Sequence, residues 1–133
     1  MDGTADALVA AARRVRRHAY APYSGFAVGA VLVAEDGRWY HGVNVECAAF
    51  PAGLCAERAA LAAAVTDGQR GITAIAVAGP GADPVTPCGV CRQALAEFGT
   101  DVAVLCAGEE GEPVRRRLAA LLPEAFGPGS LQR

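Results

Sequence analysis

The chain has 133 residues, of which 53% are hydrophobic and 20% are charged, and its formal net charge is -2. This length and hydrophobic content suffice for one buried core, so we expect a single domain over residues 1–133. The weak negative charge argues against a nucleic-acid partner, and no run approaches the ~18 apolar residues of a membrane span. The start of the chain lacks a secretory pattern and three of the five cysteines have metal-binding spacing, so we expect a cytoplasmic protein without disulfides.

The first part of the chain predicts a helix and a hairpin. Apolar residues recur at helical spacing over residues 5–19, which indicates an amphipathic helix. Residues 27–34 and 39–45 are rich in strand-forming residues, and Glu35-Asp36-Gly37-Arg38 between them has turn chemistry. An antiparallel hairpin therefore follows the first helix.

The rest of the chain alternates between helices and strands. The hydrophobic pattern predicts, in order, helix 55–65, strand 72–78, helix 88–98, strand 102–106 and helix 114–122. This order contains two strand-helix-strand crossovers. It predicts an α/β fold with a mixed sheet and helices on both faces.

A Cys-x-Glu motif and a later Cys-x-x-Cys pair carry the chemistry. Cys55 precedes Glu57 by two positions, and Cys88 and Cys91 lie one helical turn apart. Three thiolates can hold Zn²⁺ and leave the fourth tetrahedral position free for water, which is typical of a catalytic site. Glu57 is poorly placed to bind the metal and well placed to move protons. The pattern matches the zinc deaminase signature, with Cys in place of His.

Both cysteine motifs stand at predicted helix starts. Pro87 suits the first turn of a helix, and Cys55 opens the other helix. Three thiolates and one Zn²⁺ sum to -3 + 2 = -1, and two helix N-termini, each worth about half a positive charge, can offset this. Arg58 is a candidate for further charge support through a hydrogen bond to a thiolate, and an ordinary ion pair is the alternative.

The cysteines are also compatible with roles that involve no catalysis. Free cysteines are often small buried hydrophobic residues, and Cys-x-x-Cys also occurs in redox and structural zinc sites. A structural zinc module needs a fourth protein ligand, and neither His18 nor His41 stands at recognisable ligand spacing. Cys106 ends a predicted buried strand and is expected in the core. Cys47 fits no metal spacing, and packing is the expected role for it.

The chain closely resembles cytidine deaminase of the small homotetrameric zinc type, from about residue 19 to residue 128. The motifs that carry the resemblance are Ala19-Tyr20-Ala21-Pro22-Tyr23-Ser24-Gly25-Phe26, Asn44-Val45-Glu46, Cys55-Ala56-Glu57-Arg58, Pro87-Cys88-Gly89-Val90-Cys91-Arg92-Gln93 and Leu121-Leu122-Pro123-Glu124-Ala125-Phe126-Gly127-Pro128. The resemblance implies a three-layer α/β/α fold with a five-stranded mixed sheet. It also implies Zn²⁺-dependent hydrolysis of cytidine and 2′-deoxycytidine to the uridines and ammonia, a role in pyrimidine salvage, and a homotetramer with shared active sites.

The resemblance also assigns roles to individual residues. Cys55, Cys88 and Cys91 match the zinc ligands, and Glu57 matches the group that moves protons between the water and the cytosine ring. The positions that match substrate contacts are Phe26, Asn44, Glu46, Ala48 and Phe50. Without the resemblance, a lone Phe is more typical of a core, and Asn44 and Glu46 are more typical of a solvated hairpin end.

The chain departs from the family pattern at four positions. The family commonly has a polar basic or amide residue at Gly25, Pro at Ala27, Asn at Cys47 and Tyr at Phe50. In the family that Tyr reaches a neighbouring subunit's pocket and its hydroxyl contacts the sugar, so Phe50 removes a sugar contact. The runner-up function is deamination of a modified cytosine nucleoside, as in blasticidin S deaminase. A polynucleotide deaminase is not supported by the composition.

Overall fold

A computed structural model describes residues 3–131 of the chain. Its strands are β1 Gly29–Ala34, β2 Trp39–Val43, β3 Ile72–Ala78, β4 Ala103–Ala107 and β5 Val114–Arg117. These five strands form one sheet in the order β2-β1-β3-β4-β5. The α-helices are α1 Gly3–Val15, α2 Ala56–Thr66, α3 Gly89–Ala96, α4 Leu118–Leu121 and α5 Pro128–Leu131, and 3₁₀ turns cover Arg16–His18 and Phe50–Ala52. The predicted first helix over 5–19 is therefore an α-helix to Val15 followed by a 3₁₀ turn.

The sheet is mixed, as predicted. β1 pairs antiparallel with both β2 and β3, β3 pairs parallel with β4, and β4 pairs antiparallel with β5. Both predicted crossovers are present, because α2 connects β2 to β3 and α3 connects β3 to β4. Since β2 and β3 both run antiparallel to β1, their carboxyl ends lie at the same edge of the sheet. The two helices that follow these strands therefore start near each other.

Helices cover both faces of the sheet, which confirms the three-layer α/β/α fold. On one face, α1 packs its buried residues, among them Leu8 and Val9, against Val31, Ala76 and Leu105. On the other face, buried residues of α2 and α3 pack against alternate residues of the same strands. The alternation arises because successive side chains of a strand point to opposite faces. Among the described residues 3–131, no helix combines the length and apolar character needed to cross a membrane.

The predicted helix over 114–122 is wrong in its first half. Val114–Arg117 forms the edge strand β5, and only Leu118–Leu121 is helical. The exposed edge of β4 offers backbone hydrogen bonds to this segment, and tertiary pairing outweighs a weak helical preference. Arg115, Arg116 and Arg117 are exposed, which is a common composition for an edge strand. The sequence pattern therefore missed the fifth strand, which the resemblance implied.

A close approach between β2 and α2 sets the position of the helix that carries the site. A Cβ at Gly42 would lie 2.4 Å from both the Ala56 carbonyl oxygen and the Ala60 nitrogen. Any larger residue would push α2 away from the sheet. Glycine at this position therefore lets the N-terminus of α2, with Cys55 before it, lie directly against the end of β2.

Candidate active site

Three cysteines meet at the starts of α2 and α3. Cys55 is the N-cap of α2, Cys88 is the N-cap of α3, and Cys91 lies in the first turn of α3. Their sulfur atoms all lie within 4.8 Å of one another, and the sulfurs of Cys55 and Cys88 are 4.0 Å apart. Tetrahedral Zn²⁺ with Zn–S bonds of ~2.3 Å separates its sulfur ligands by ~3.8 Å. The donor set and its spacing therefore fit a zinc ion.

Among residues 3–131, the cluster offers three protein ligands and no fourth. Within residues 3–131 it is the one group of three or more metal-binding side chains close enough to share an ion. His18 and His41 line a separate cleft with Arg14 and Arg17. This arrangement fits a site with an open position and does not fit a closed structural zinc site.

The thiols of the cluster differ in acidity. Burial opposes ionisation of Cys88, but hydrogen bonds from the backbone of Cys91 and Val90 at the start of α3 leave its pKa below the ordinary value. Burial, reinforced by the nearby Glu57 carboxylate, raises the pKa of the Cys91 thiol. A metal that binds all three sulfurs must displace the proton from Cys91.

Arg58 lies against the cysteine cluster. Its Nη2 donates to the Cys55 sulfur at 3.4 Å, and its Nε is buried with no partner among the described residues. Hydrogen bonds to Cys55 and Cys91 raise the pKa of the guanidinium, which stays charged. The geometry fits charge support of a thiolate, the first of the two alternatives given by the sequence.

Glu57 is the one buried charged side chain among residues 3–131, with 5% of its surface exposed. It lines a cavity of about 330 Å³ together with Cys55 and Cys88. Burial raises the pKa of its carboxyl, and Arg58 and the Cys91 thiol oppose this shift. A carboxyl with a raised pKa beside a metal site can both accept and return a proton.

Asn44 lines the cavity and hydrogen-bonds the segment that carries Phe26. Its Oδ1 accepts from the Val28 backbone N–H at 2.8 Å, and its Nδ2 donates to the Phe26 carbonyl at 2.8 Å. Phe26 is 45% exposed and lines the cavity. Phe26 is thus not a core residue, and its ring is available to a ligand.

The Glu46 carboxylate binds the turn before Phe26. Its Oε1 accepts from the backbone N–H groups of Tyr23 and Ser24, at 2.9 and 3.0 Å, and its Oε2 accepts from the Ser24 hydroxyl. These hydrogen bonds, the Ser24 hydroxyl first, lower the pKa of Glu46. Glu46 therefore presents a negative charge at the cavity, which it also lines. Gly25 has a positive φ of 69°, so the turn uses the conformational freedom of glycine.

Two of the predicted substrate residues lie outside this cavity. Phe50 is 73% exposed and lines a neighbouring open cleft of about 340 Å³ together with Cys47 and Tyr23. The ring centroids of Phe50 and Tyr23 are 5.7 Å apart. Ala48 is exposed and lines neither space. One chain therefore does not bring Ala48 and Phe50 to Glu57. Cys106 is fully buried in the core, as predicted.

Sequence reasoning missed five residues that line the cavity. They are Ser24, Val28, Ala56, Val85 and Thr86. Thr86 stands directly before Pro87-Cys88, so its position next to a motif was a usable signal. Ser24 lies inside a motif of the resemblance and carried no predicted role. The two valines look like any strand or loop residue, and nothing in the sequence distinguishes them.

The sequence and the fold of this chain are both similar to those of known proteins. Residues 3–107 match the family model described as the cytidine and deoxycytidylate deaminase zinc-binding region. The chain is 45% identical over 125 residues to a cytidine deaminase of Sporosarcina psychrophila, a match that covers 93% of this chain and 92% of the relative. It is 42% identical over 120 residues to a cytidine deaminase of Halalkalibacterium halodurans, covering 90% and 91% of the two chains. The crystal structure of cytidine deaminase from Burkholderia pseudomallei superposes with a TM-score of 0.87 at 43% identity, covering 95% of this chain and 100% of that one.

Proposed function

Because the chain belongs to the cytidine and deoxycytidylate deaminase family, we propose that it hydrolyses cytidine and 2′-deoxycytidine to the corresponding uridines and ammonia, with Zn²⁺ as cofactor. One observation carries the proposal: a buried carboxyl, Glu57, shares a cavity with the cysteine cluster. The remaining walls of that cavity offer an aromatic ring and polar groups, which suits a nucleoside.

Cys55, Cys88 and Cys91 are the zinc ligands in this proposal, with Arg58 as charge support. Bound Zn²⁺ supplies Lewis acid chemistry that makes water a nucleophile at neutral pH. The helix N-termini behind Cys55 and Cys88 and the charge of Arg58 stabilise the thiolates. These groups offset part of the negative charge that three thiolates bring to the bound metal.

Glu57 is the proton carrier. It accepts a proton from the attacking water and delivers a proton to N3 of the cytosine ring, which makes C4 more electrophilic. It then takes the second proton of the water from the new hydroxyl on C4 and relays it to the exocyclic amino group, which leaves as ammonia as the C4–N bond breaks and the C4 carbonyl forms. Water and cytidine together supply all the atoms of uridine and ammonia, and Glu57 ends the cycle in its starting state. Its raised pKa favours this exchange in both directions.

Phe26, Asn44 and Glu46 position the nucleoside. The exposed ring of Phe26 packs against the base, and Asn44 and Glu46 hydrogen-bond a ribose hydroxyl. The relatives are named cytidine deaminases, so the comparisons support ordinary nucleosides and do not support the modified-nucleoside alternative.

The active unit is a homotetramer, and Ala48 and Phe50 contact the substrate of a neighbouring subunit. The support is that Phe50 lies outside its own chain's cavity yet is 73% exposed, and that Tyr23 and Val45 are exposed apolar residues of the same part of the chain. A small chain rarely exposes a cluster of large hydrophobic side chains to water, so burial at a subunit interface is the better explanation for this cluster. We place this single-domain enzyme in cytoplasmic pyrimidine salvage, the role that fits its substrates.

A substrate panel tests the proposed function. The purified protein with Zn²⁺ is assayed on cytidine, 2′-deoxycytidine, cytosine, CMP and nucleoside antibiotics, and loss of cytosine-type absorbance is followed. We expect turnover of the two ordinary nucleosides above all others. A preference for an antibiotic, or no turnover of either nucleoside, would contradict the proposal.

A further inference from the structure

Ser24 stands between the active-site cavity and the neighbouring cleft and lines both. Its hydroxyl donates to Oε2 of Glu46 and accepts from the Phe26 backbone N–H at 3.0 Å. One side chain therefore connects the Glu46 carboxylate with the backbone of Phe26, and both of these residues line the cavity.

The hydrogen bonds of Glu46 determine which of its acceptor positions stay free. A carboxylate has about four acceptor positions, two on each oxygen. Oε1 uses both of its positions on the N–H groups of Tyr23 and Ser24, whereas Oε2 uses one position on the Ser24 hydroxyl. One acceptor position on Oε2 remains for a ligand, and its direction is set by the Ser24 bond.

We propose that Ser24 is a positioning residue, which aims the free acceptor of Glu46 at a sugar hydroxyl of the nucleoside. The inference rests on the proposed function. We expect loss of the Ser24 hydroxyl to affect substrate binding and not turnover. Among the described residues the Ser24 hydroxyl is hydrogen-bonded to Glu46 and Phe26, and not to Glu57 or the cysteines. Loss of the hydroxyl frees the carboxylate to rotate and removes the partner of the Phe26 N–H.

The test measures steady-state kinetics of Ser24→Ala and Ser24→Thr on cytidine and on 2′,3′-dideoxycytidine. We expect Ser24→Ala to raise KM for cytidine about tenfold, the effect of about one charge-assisted hydrogen bond, with kcat within about twofold of wild type. On dideoxycytidine the increase should be less than about threefold, because the hydroxyl that Glu46 accepts from is absent. Ser24→Thr keeps a hydroxyl and should restore KM for cytidine to within about threefold.

A double-mutant cycle and a matched control separate positioning from a general structural role. In a Glu46→Ala background, Ser24→Ala should change KM by less than about twofold, because the carboxylate to be positioned is gone. Thr66→Ala is the control, since the Thr66 hydroxyl also makes one local hydrogen bond, to the Ala62 carbonyl at 2.7 Å, but at the far end of α2. It should leave KM unchanged.

Several results would overturn the inference. They are an unchanged KM in Ser24→Ala, an equal increase for cytidine and dideoxycytidine, full additivity with Glu46→Ala, and loss of the folded state in Ser24→Ala. Failure of the proposed function gives a different result, because the wild-type protein itself would then not deaminate cytidine.

Discussion

The guanidinium of Arg58 lies one helical turn after Cys55 and contacts its sulfur at 3.4 Å. The contact joins a permanent positive charge to a cluster whose three thiolates and one Zn²⁺ carry a net charge of about -1. In the proposed zinc site, Arg58 would draw electron density from the sulfur and make the metal a stronger Lewis acid. Partners of this kind around metal ligands typically contribute ~10–100-fold to activity or metal affinity.

Replacement of this charge should therefore lower the rate. We expect Arg58→Gln to reduce kcat for cytidine by about tenfold or more, with folded protein retained. Arg14→Gln is the control, because Arg14 is exposed on α1 away from the site, and it should be neutral. Kinetics and zinc analysis of both variants check this, and an Arg58→Gln enzyme with unchanged kcat and zinc content would show that the contact is incidental.

The cysteine cluster should hold one zinc per chain. We expect Cys88→Ala to lose the metal and to melt at a lower temperature, because metal binding and folding are coupled. Cys47→Ser should keep the zinc, since Cys47 lies outside the cluster. Metal analysis by mass spectrometry and thermal unfolding measure both effects. Wild-type protein with well under one zinc per chain, and no gain in activity when zinc is added, would contradict the assignment.

Zinc binding should release protons. Burial and the Glu57 carboxylate raise the pKa of Cys91, so at neutral pH the metal-free protein carries a proton on this thiol. We expect the addition of zinc to metal-free protein in weak buffer to release at least about one proton per zinc, and zinc retention to decrease as the pH falls. The sign follows because protons and the metal compete for the same sulfur. Zinc uptake without proton release would mean that the thiols are already ionised.

The chemistry of the site could be predicted from the sequence better than the edge of the sheet could. The cysteine cluster could be predicted because Cys88 and Cys91 need only helical spacing to share a metal, and because Cys55 stands at another helix start. By contrast, Val114–Arg117 has no strand signal of its own, and its conformation depends on the free edge of β4. The Ser24–Glu46 bond was equally hidden, because it joins residues from separate segments that meet only in the folded chain.

A hydroxyl at position 50 should improve sugar binding. If Phe50 lies at a neighbouring subunit's pocket, Phe50→Tyr adds a donor there, so KM for cytidine should fall by up to about tenfold with little change in kcat. If Phe50 has only a packing role, the hydroxyl is left unsatisfied, and KM stays unchanged or rises. Light scattering of the wild-type protein accompanies the kinetics, and a stable, fully active monomer would end the shared-site proposal.

Glu57→Gln tests the central claim most directly. The amide fills the same space and is neutral, but it cannot carry protons between water and the ring, and general acid-base groups typically contribute ~10²–10⁴-fold. The measurement is kcat for cytidine on zinc-loaded wild type and Glu57→Gln, with zinc content and nucleoside binding determined in parallel. We expect a variant that keeps its zinc and binds cytidine but loses at least about 99% of turnover, the lower end of that range. Retention of more than about a tenth of wild-type kcat by the zinc-loaded variant would show that another group carries the protons.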